Sequence, residues 1–217
     1  MSQQEAATTR FPESPVSIYD RFTNLYDLMF RVNGYGRSME HYLRESLPPL
    51  PACARILDAG CGTGLLTLAL LRVLRRPAEI VAVDLSARSL QTARRAVVKL
   101  KHDPRHKVSF VQADALALPF NDDSFDLVVT SGVLEYLPLR EGLGEIARVV
   151  ATGGHLIFLP VRPSPATLLL EIMFRFKAHP PRAVSENTER FFHILDNYRF
   201  PPLEPIGWTK SVVLAQK

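Results

Sequence analysis

Three glycines at alternate positions, Gly60, Gly62 and Gly64, follow an apolar run ending in an acid, Ile56-Leu57-Asp58, and precede an apolar helical pattern that opens at Leu65. Residues of these types at this spacing can bind a polar or anionic cofactor. Glycine lets the backbone approach a ligand closely, and the N–H groups at a helix start carry the positive end of the helix dipole. A dinucleotide fingerprint spaces its glycines as G-x-G-x-x-G, the third helping the helix pack on its strand. Here Leu65 takes that third place, so the spacing argues against a nicotinamide cofactor. Cys61 lies inside the turn, where a small side chain is tolerated. The six histidines show no metal-ligand spacing and no H-E-x-x-H occurs, so no metal is indicated.

The stretch from Ile56 to Thr67 resembles motif I of the class I S-adenosylmethionine-dependent methyltransferases. The resemblance continues in order and spacing from Arg55 to Pro160. Val81-Ala82-Val83-Asp84 is similar to the second strand with its terminal acid, and Val111-Gln112-Ala113-Asp114-Ala115 to the third. Phe125 to Leu137 resembles the fourth strand and its following segment. Arg148 to Phe158 is similar to the R-V-L-K-P-G-G lead into the fifth, with Thr152 in place of the proline. Nearer the start, Tyr19 to Leu28 resembles the Y-D-x-x-A-x-x-Y-D opening of the ubiquinone/menaquinone C-methyltransferase type, with Thr23 in place of the alanine.

The resemblance implies an α/β fold: a Rossmann-like seven-stranded, mostly parallel sheet with helices on both faces and a C-terminal antiparallel hairpin. It implies S-adenosyl-L-methionine as cofactor and assigns roles to residues. Gly60, Cys61, Gly62 and Gly64 would form the turn at the methionyl end, and Asp58 would orient that turn and attract the ammonium. Asp84 would accept both ribose hydroxyls, a carboxylate being the best bidentate acceptor for a diol. Asp114 and the Ala115 N–H would hold the adenine edge, Leu85 and Leu116 would sandwich the ring, and Ser131 would close the pocket at the end of strand four. Glu135 and Tyr136, just past that strand, are the nearest titratable candidates for a general base. Tyr19 and Tyr26 would line the acceptor pocket.

These residues need elements to hold them. At 217 residues the chain fits one domain with a well-buried core. It divides into an N-terminal arm (1–15) whose Ser, Gln, Glu, Thr and Pro content suggests mobility, a helical cap (16–47), the cofactor core (55–160), an insertion (162–184) and a C-terminal helix with hairpin (185–217). Strands alternating with helical patterns from Arg55 to Pro160 mark βαβ units. Ser86 reads as the N-cap of a helix through Lys101 whose Leu90, Ala93, Val97 and Leu100 share one face. Ser185–Tyr198 reads as a helix, and Leu203–Ile206 and Trp208–Ala215 as two strands turning at Gly207. Prolines bracket a helix over Ala166–Lys177, whose Leu169, Met173 and Phe176 belong to an apolar face that could pack on the core, cover an apolar acceptor or meet a membrane surface.

Composition narrows the partners. Lys+Arg at 26 against Asp+Glu at 22 is a modest excess, and the basic cluster from Arg88 to Lys107 has no interleaved aromatic platform for bases, so nucleic acid is not expected. Two cysteines outside any C-x-x-C pair point to a reducing, cytoplasmic setting, with peripheral membrane contact left open. The N-terminus has no apolar signal region. The reading that results is a methyltransferase acting on a small apolar acceptor such as a quinone precursor, a lipid-like compound or a secondary metabolite. The alternative is a non-catalytic S-adenosylmethionine-binding protein of the same fold.

Overall fold

The computed structural model of the protein describes residues 34–201 and 203–217. Tyr19, Tyr26 and the N-terminal arm lie outside them. Seven strands, β1 (Ala54–Ala59), β2 (Ala78–Asp84), β3 (Lys107–Gln112), β4 (Phe125–Ser131), β5 (Val150–Leu159), β6 (His193–Tyr198) and β7 (Val212–Gln216), form one sheet in the order β3-β2-β1-β4-β5-β7-β6. β1 to β5 run parallel, and β7 is antiparallel to both of its neighbours.

Successive strand side chains point to opposite faces, so strands covered on both sides read as unbroken apolar runs. In β1, Ile56 enters a core shared with α1 (Tyr35–Ser46) and α2 (Leu65–Val73), while Leu57 enters the opposite core with α4 (Leu139–Val149) and α6 (Pro181–Thr188). α2 is apolar nearly all round because it is buried between the sheet and α1. α3 (Ala87–Lys99) starts where expected: the Ser86 hydroxyl accepts the Ser89 N–H at 3.1 Å, and Leu90, Ala93 and Val97 face inward.

The insertion helix is shorter than its apolar pattern suggested. α5 (Pro165–Phe174) is capped by Ser164, which accepts the Thr167 N–H, and ends at Arg175, whose left-handed backbone (φ 53°) stops it. Leu168, Leu169 and Ile172 are exposed, and Thr167 and Phe174 are buried.

The tail departs further from the expectation. The helix expected over 185–198 is α6 followed by an edge strand, and the two expected strands are a 3-10 turn (Pro205–Trp208) and β7. Pro181 sets the helix start several residues early. Phe192 then closes the core below α4, and β6 continues with mostly exposed residues, as an edge strand can. The antiparallel hairpin exists, but it pairs β6 with β7 across a long connection. Gly207 is buried in that connection, where a Cβ would stand 2.9 Å from the Phe200 carbonyl oxygen and 3.0 Å from the Phe200 Cβ.

Gly207→Ala should therefore destabilise the fold by about 1–3 kcal/mol through overpacking. Urea denaturation would measure this, and an unchanged midpoint would mean that the 200–207 turn yields without cost.

Candidate functional site

β1 lies between β2 and β4, where the strand order reverses, and a crevice opens there beyond the carboxyl ends. It holds a cavity of about 360 Å³. The turn after β1 is laid over the end of β2: Gly60 and Cys61 both donate N–H bonds to the Val83 carbonyl at 2.8 Å. The Asp84 carboxylate accepts the Gly62 N–H at 2.8 Å and the Ser86 N–H at 2.9 Å. One acid thus fixes the cofactor turn and the entry to α3. A carboxylate offers about four acceptor positions, more than these two bonds use.

The glycines divide their work. Gly60 has φ 73° and a Cβ there would stand 2.5 Å from the Val133 Cβ, so the first glycine lets the turn pass the segment after β4. Gly62 faces the cavity. Gly64, expected at the ligand, does not line it: with φ 89° it begins α2, and a Cβ would meet the Ala93 Cβ at 3.0 Å. Its role is close packing of α2 on α3, which the G-x-G-x-G spacing alone did not distinguish.

Asp58 forms the floor. It is 1% exposed, its Oδ2 accepts the Thr67 hydroxyl at 2.5 Å, and burial pushes its carboxyl up to about 7, against the Thr67 bond and with the nearby Asp84 charge adding to the rise. A buried carboxylate with no cation paired to it among the described residues suits a ligand ammonium. Cys61 also lines the cavity, but burial, with Asp58 and Asp84 nearby, raises its thiol well above the usual range, so it packs and does not react.

At the other end Leu85, Asp114 and Ala115 line the cavity, whereas Leu116 does not. Asp114 is exposed, and its Oδ1 accepts the Leu116 N–H at 2.9 Å, which shapes the rim turn. Arg148 secures that loop from below through the Leu118 and Phe120 carbonyls, Asp122 and Glu145. Ser131 lines the far wall and receives the Tyr35 hydroxyl at 2.8 Å. Tyr35 was missed in the sequence; the glycine-flanked start of its helix, Gly34-Tyr35-Gly36, was the available signal.

The two base candidates separate. Tyr136 lines the cavity, but burial and the neighbouring Glu135 charge raise its phenol, which therefore donates hydrogen bonds at neutral pH and does not take up a proton. Glu135 lies outside the lining: it is 5% exposed and its Oε1 accepts the Val161 N–H at 2.6 Å. Leu169 and Met173 do not line the cavity either. Phe176 reaches it indirectly, its ring centroid 5.8 Å from that of Tyr136. Among the described residues no group of three or more His, Cys, Asp or Glu could hold a metal, and no helix is long and apolar enough to cross a membrane.

The donor set fits S-adenosyl-L-methionine. A buried acid lies at the glycine turn for the amino acid end, a strand-end acid for the ribose, and an acid with an adjacent N–H at the rim for the adenine. Residues 57–158 match the model of a methyltransferase domain family. The demethylmenaquinone methyltransferase of Thermus thermophilus is 40% identical over 144 residues, a match that covers 64% of this chain but only 62% of that protein. The demethylmenaquinone methyltransferase of Mycobacterium marinum is 31% identical over 98% of this chain and 86% of its own length. The fold is shared with the geranyl diphosphate C-methyltransferase of Streptomyces coelicolor, solved with S-adenosyl-L-homocysteine, at a TM-score of 0.68 and 15% identity over 83% of this chain and 75% of that one.

Removing Asp84 should loosen both the turn and the ribose contact. Asp84→Ala is expected to weaken S-adenosylhomocysteine binding by about 2–4 kcal/mol, roughly 30- to 1000-fold, by calorimetry. Unchanged affinity in the folded variant would remove the ribose assignment.

Asp58 makes binding pH-dependent. Its folded carboxyl titrates near 7, above the unfolded value of about 3.9, so its burial costs stability that grows as pH rises from about 4 to 7. A ligand ammonium favours the ionised form, so binding at about pH 6 should release close to one proton and tighten as pH approaches about 7. Calorimetry at low pH in buffers of different ionisation enthalpy would read the proton directly. A buffer-independent heat would place the ammonium away from Asp58.

Proposed function

Because this chain belongs to the class I S-adenosylmethionine-dependent methyltransferases, we propose that it methylates a reduced quinone precursor, a small aromatic ring carrying an apolar tail. The observation that carries this reading is the contact between Tyr136, on the cavity wall, and Phe176, just beyond α5. It extends the apolar part of the lining, Val133 and Leu137, outward to Phe176, which follows the exposed Leu168, Leu169 and Ile172 in the chain. The two demethylmenaquinone methyltransferases among its relatives agree with an acceptor of that kind.

Bound in the cavity, S-adenosylmethionine supplies a methyl group on a sulfonium that leaves as a neutral thioether. The chain's own residues do the positioning, which carries much of such a displacement. The Gly60–Gly62 turn and Asp58 would hold the amino acid end, and Asp84 and the Asp114 rim would fix the nucleoside. Tyr136 and Leu137 would present the acceptor ring from the part of the cavity they line, the protonated phenol donating to a ring oxygen. As the acceptor atom takes the methyl, the proton on it passes to solvent.

The exposed apolar face of α5, with Arg175 and Lys177 at its end, supports peripheral contact with an anionic membrane where a long-tailed acceptor would reside.

Incubation with S-adenosylmethionine and a short-chain prenyl naphthoquinol should give S-adenosylhomocysteine and an acceptor heavier by one methylene. Tight cofactor binding without turnover on quinols, phenols or lipid-like amines would favour the non-catalytic alternative. Replacing Leu168, Leu169 and Ile172 by Ser should reduce sedimentation with anionic vesicles and leave S-adenosylhomocysteine affinity unchanged. Equal loss of both would return α5 to a core-packing role.

A further inference from the structure

Glu135 is a buried acid that the cofactor chemistry leaves without a task. It sits in the 3-10 turn Leu134–Tyr136 behind the acceptor wall, with Oε1 on the Val161 N–H at 2.6 Å and Oε2 buried with no hydrogen-bond partner among the described residues. Val161 bridges Lys210 across the exit of β5 and the approach to β7. Lys210 is 1% exposed. Burial lowers its ammonium, and Glu135 is near enough for its charge to oppose that shift. A buried ammonium and a buried carboxylate therefore lie within Coulombic range of each other where three chain segments converge, joined through Val161.

The same turn holds the segment after α5. The Glu135 carbonyl accepts the Lys177 N–H at 3.3 Å, and His179 Nε2 lies 3.1 Å from the Leu134 carbonyl, which can only accept, so the imidazole donates there. Tyr136, the next residue, carries the contact with Phe176. The turn's inner side is the cavity wall, its outer side docks residues 175–179, and its position is set by a carboxylate anchored to the β5 exit.

We propose that Glu135, together with Lys210, is a positioning residue that holds Tyr136 on the acceptor wall and docks the α5–α6 connector against it. It acts through the turn and does not touch the reacting atoms. Removing one of two neighbouring buried charges takes away the compensation it gives the other, whereas removing both leaves a neutral pair of similar shape. The two residues should therefore be coupled: each single change disturbs the wall, and the double change relieves it.

The test compares Glu135→Gln, Lys210→Met and the double variant by hydrogen exchange of the peptides over residues 133–137 and 175–180, which needs no acceptor. Each single variant should exchange faster by about tenfold while the double returns towards wild type, and S-adenosylhomocysteine affinity should stay within about threefold in all. Singles that match wild type, or a double as fast as the faster single, would overturn the proposal. If Glu135→Gln does not fold, the proposal still requires a folded double with a protected connector, and an unfolded double overturns it.

The part of the proposal that concerns acceptor binding rests on the methyltransferase reading above. With a short-chain prenyl naphthoquinol, the singles should raise KM with kcat little changed, and the double should restore it. A collapse of kcat in Glu135→Gln that Lys210→Met does not relieve would make Glu135 the proton acceptor and overturn the positioning role. Absence of turnover in the wild type would count against the acceptor reading and leave the exchange comparison intact.

Discussion

The Asp84 carboxylate is the interaction on which the site depends. It ends β2 and takes the N–H groups of Gly62 and Ser86, so a single side chain fixes the turn leaving β1 and the cap that begins α3. The parallel register of β1 with β2 brings Val83 opposite Ala59, which puts the Val83 carbonyl where Gly60 and Cys61 can reach it. Sheet pairing and ligand geometry are therefore one constraint. A shift of one residue in β1 would turn its core side chains to the wrong face and break the turn as well.

Charge burial is the second theme. Asp58 and Glu135 are both nearly inaccessible, yet they lie in different electrostatic settings. Asp58 has a hydroxyl and the like charge of Asp84 near it, a setting that only a cationic ligand completes. Glu135 has a backbone N–H and an ammonium neighbour, so its compensation comes from the protein. The cost of a buried carboxylate is met by ligand at one site and by fold at the other.

Much of this was legible in the chain. The apolar runs with terminal acids located β1 and β2, the run from Phe125 located β4, Ser86 marked the start of α3, and Asp58, Asp84 and Asp114 line one cavity. What failed had local causes. Gly64 looked like a ligand glycine because a positive φ and a close helix contact call for the same residue as a ligand approach does. Glu135 sits one residue from the wall, and in a 3-10 turn one residue changes which way a side chain faces, which no spacing rule resolves. In the tail, Ser185–Tyr198 was read as one helix although the backbone leaves the helix at Thr188 and becomes a strand at His193. That edge strand is defined by its pairing with β7, a contact remote in sequence. Arg148 was read as part of a motif, yet its four contacts to the 118–122 segment and Glu145 give it the plain task of bracing the adenine-side loop.

β7 is the last strand in chain order but lies inside the sheet, between β5 and β6. During synthesis, residues up to β6 leave the ribosome while the open flank of β5, with Leu156 to Phe158 along it, still lacks its neighbour. The cofactor half of the sheet can assemble in that interval, but β6 has nothing to pair with until Val212–Gln216 emerge. For that period the nascent chain carries an apolar, unpaired edge, the feature that recruits chaperones or another chain. Pairing with β7 closes that edge, and Lys217, whose ammonium reaches the Val150 carbonyl at 2.8 Å and Asp123 at 2.9 Å, fastens the strand to the start of β5.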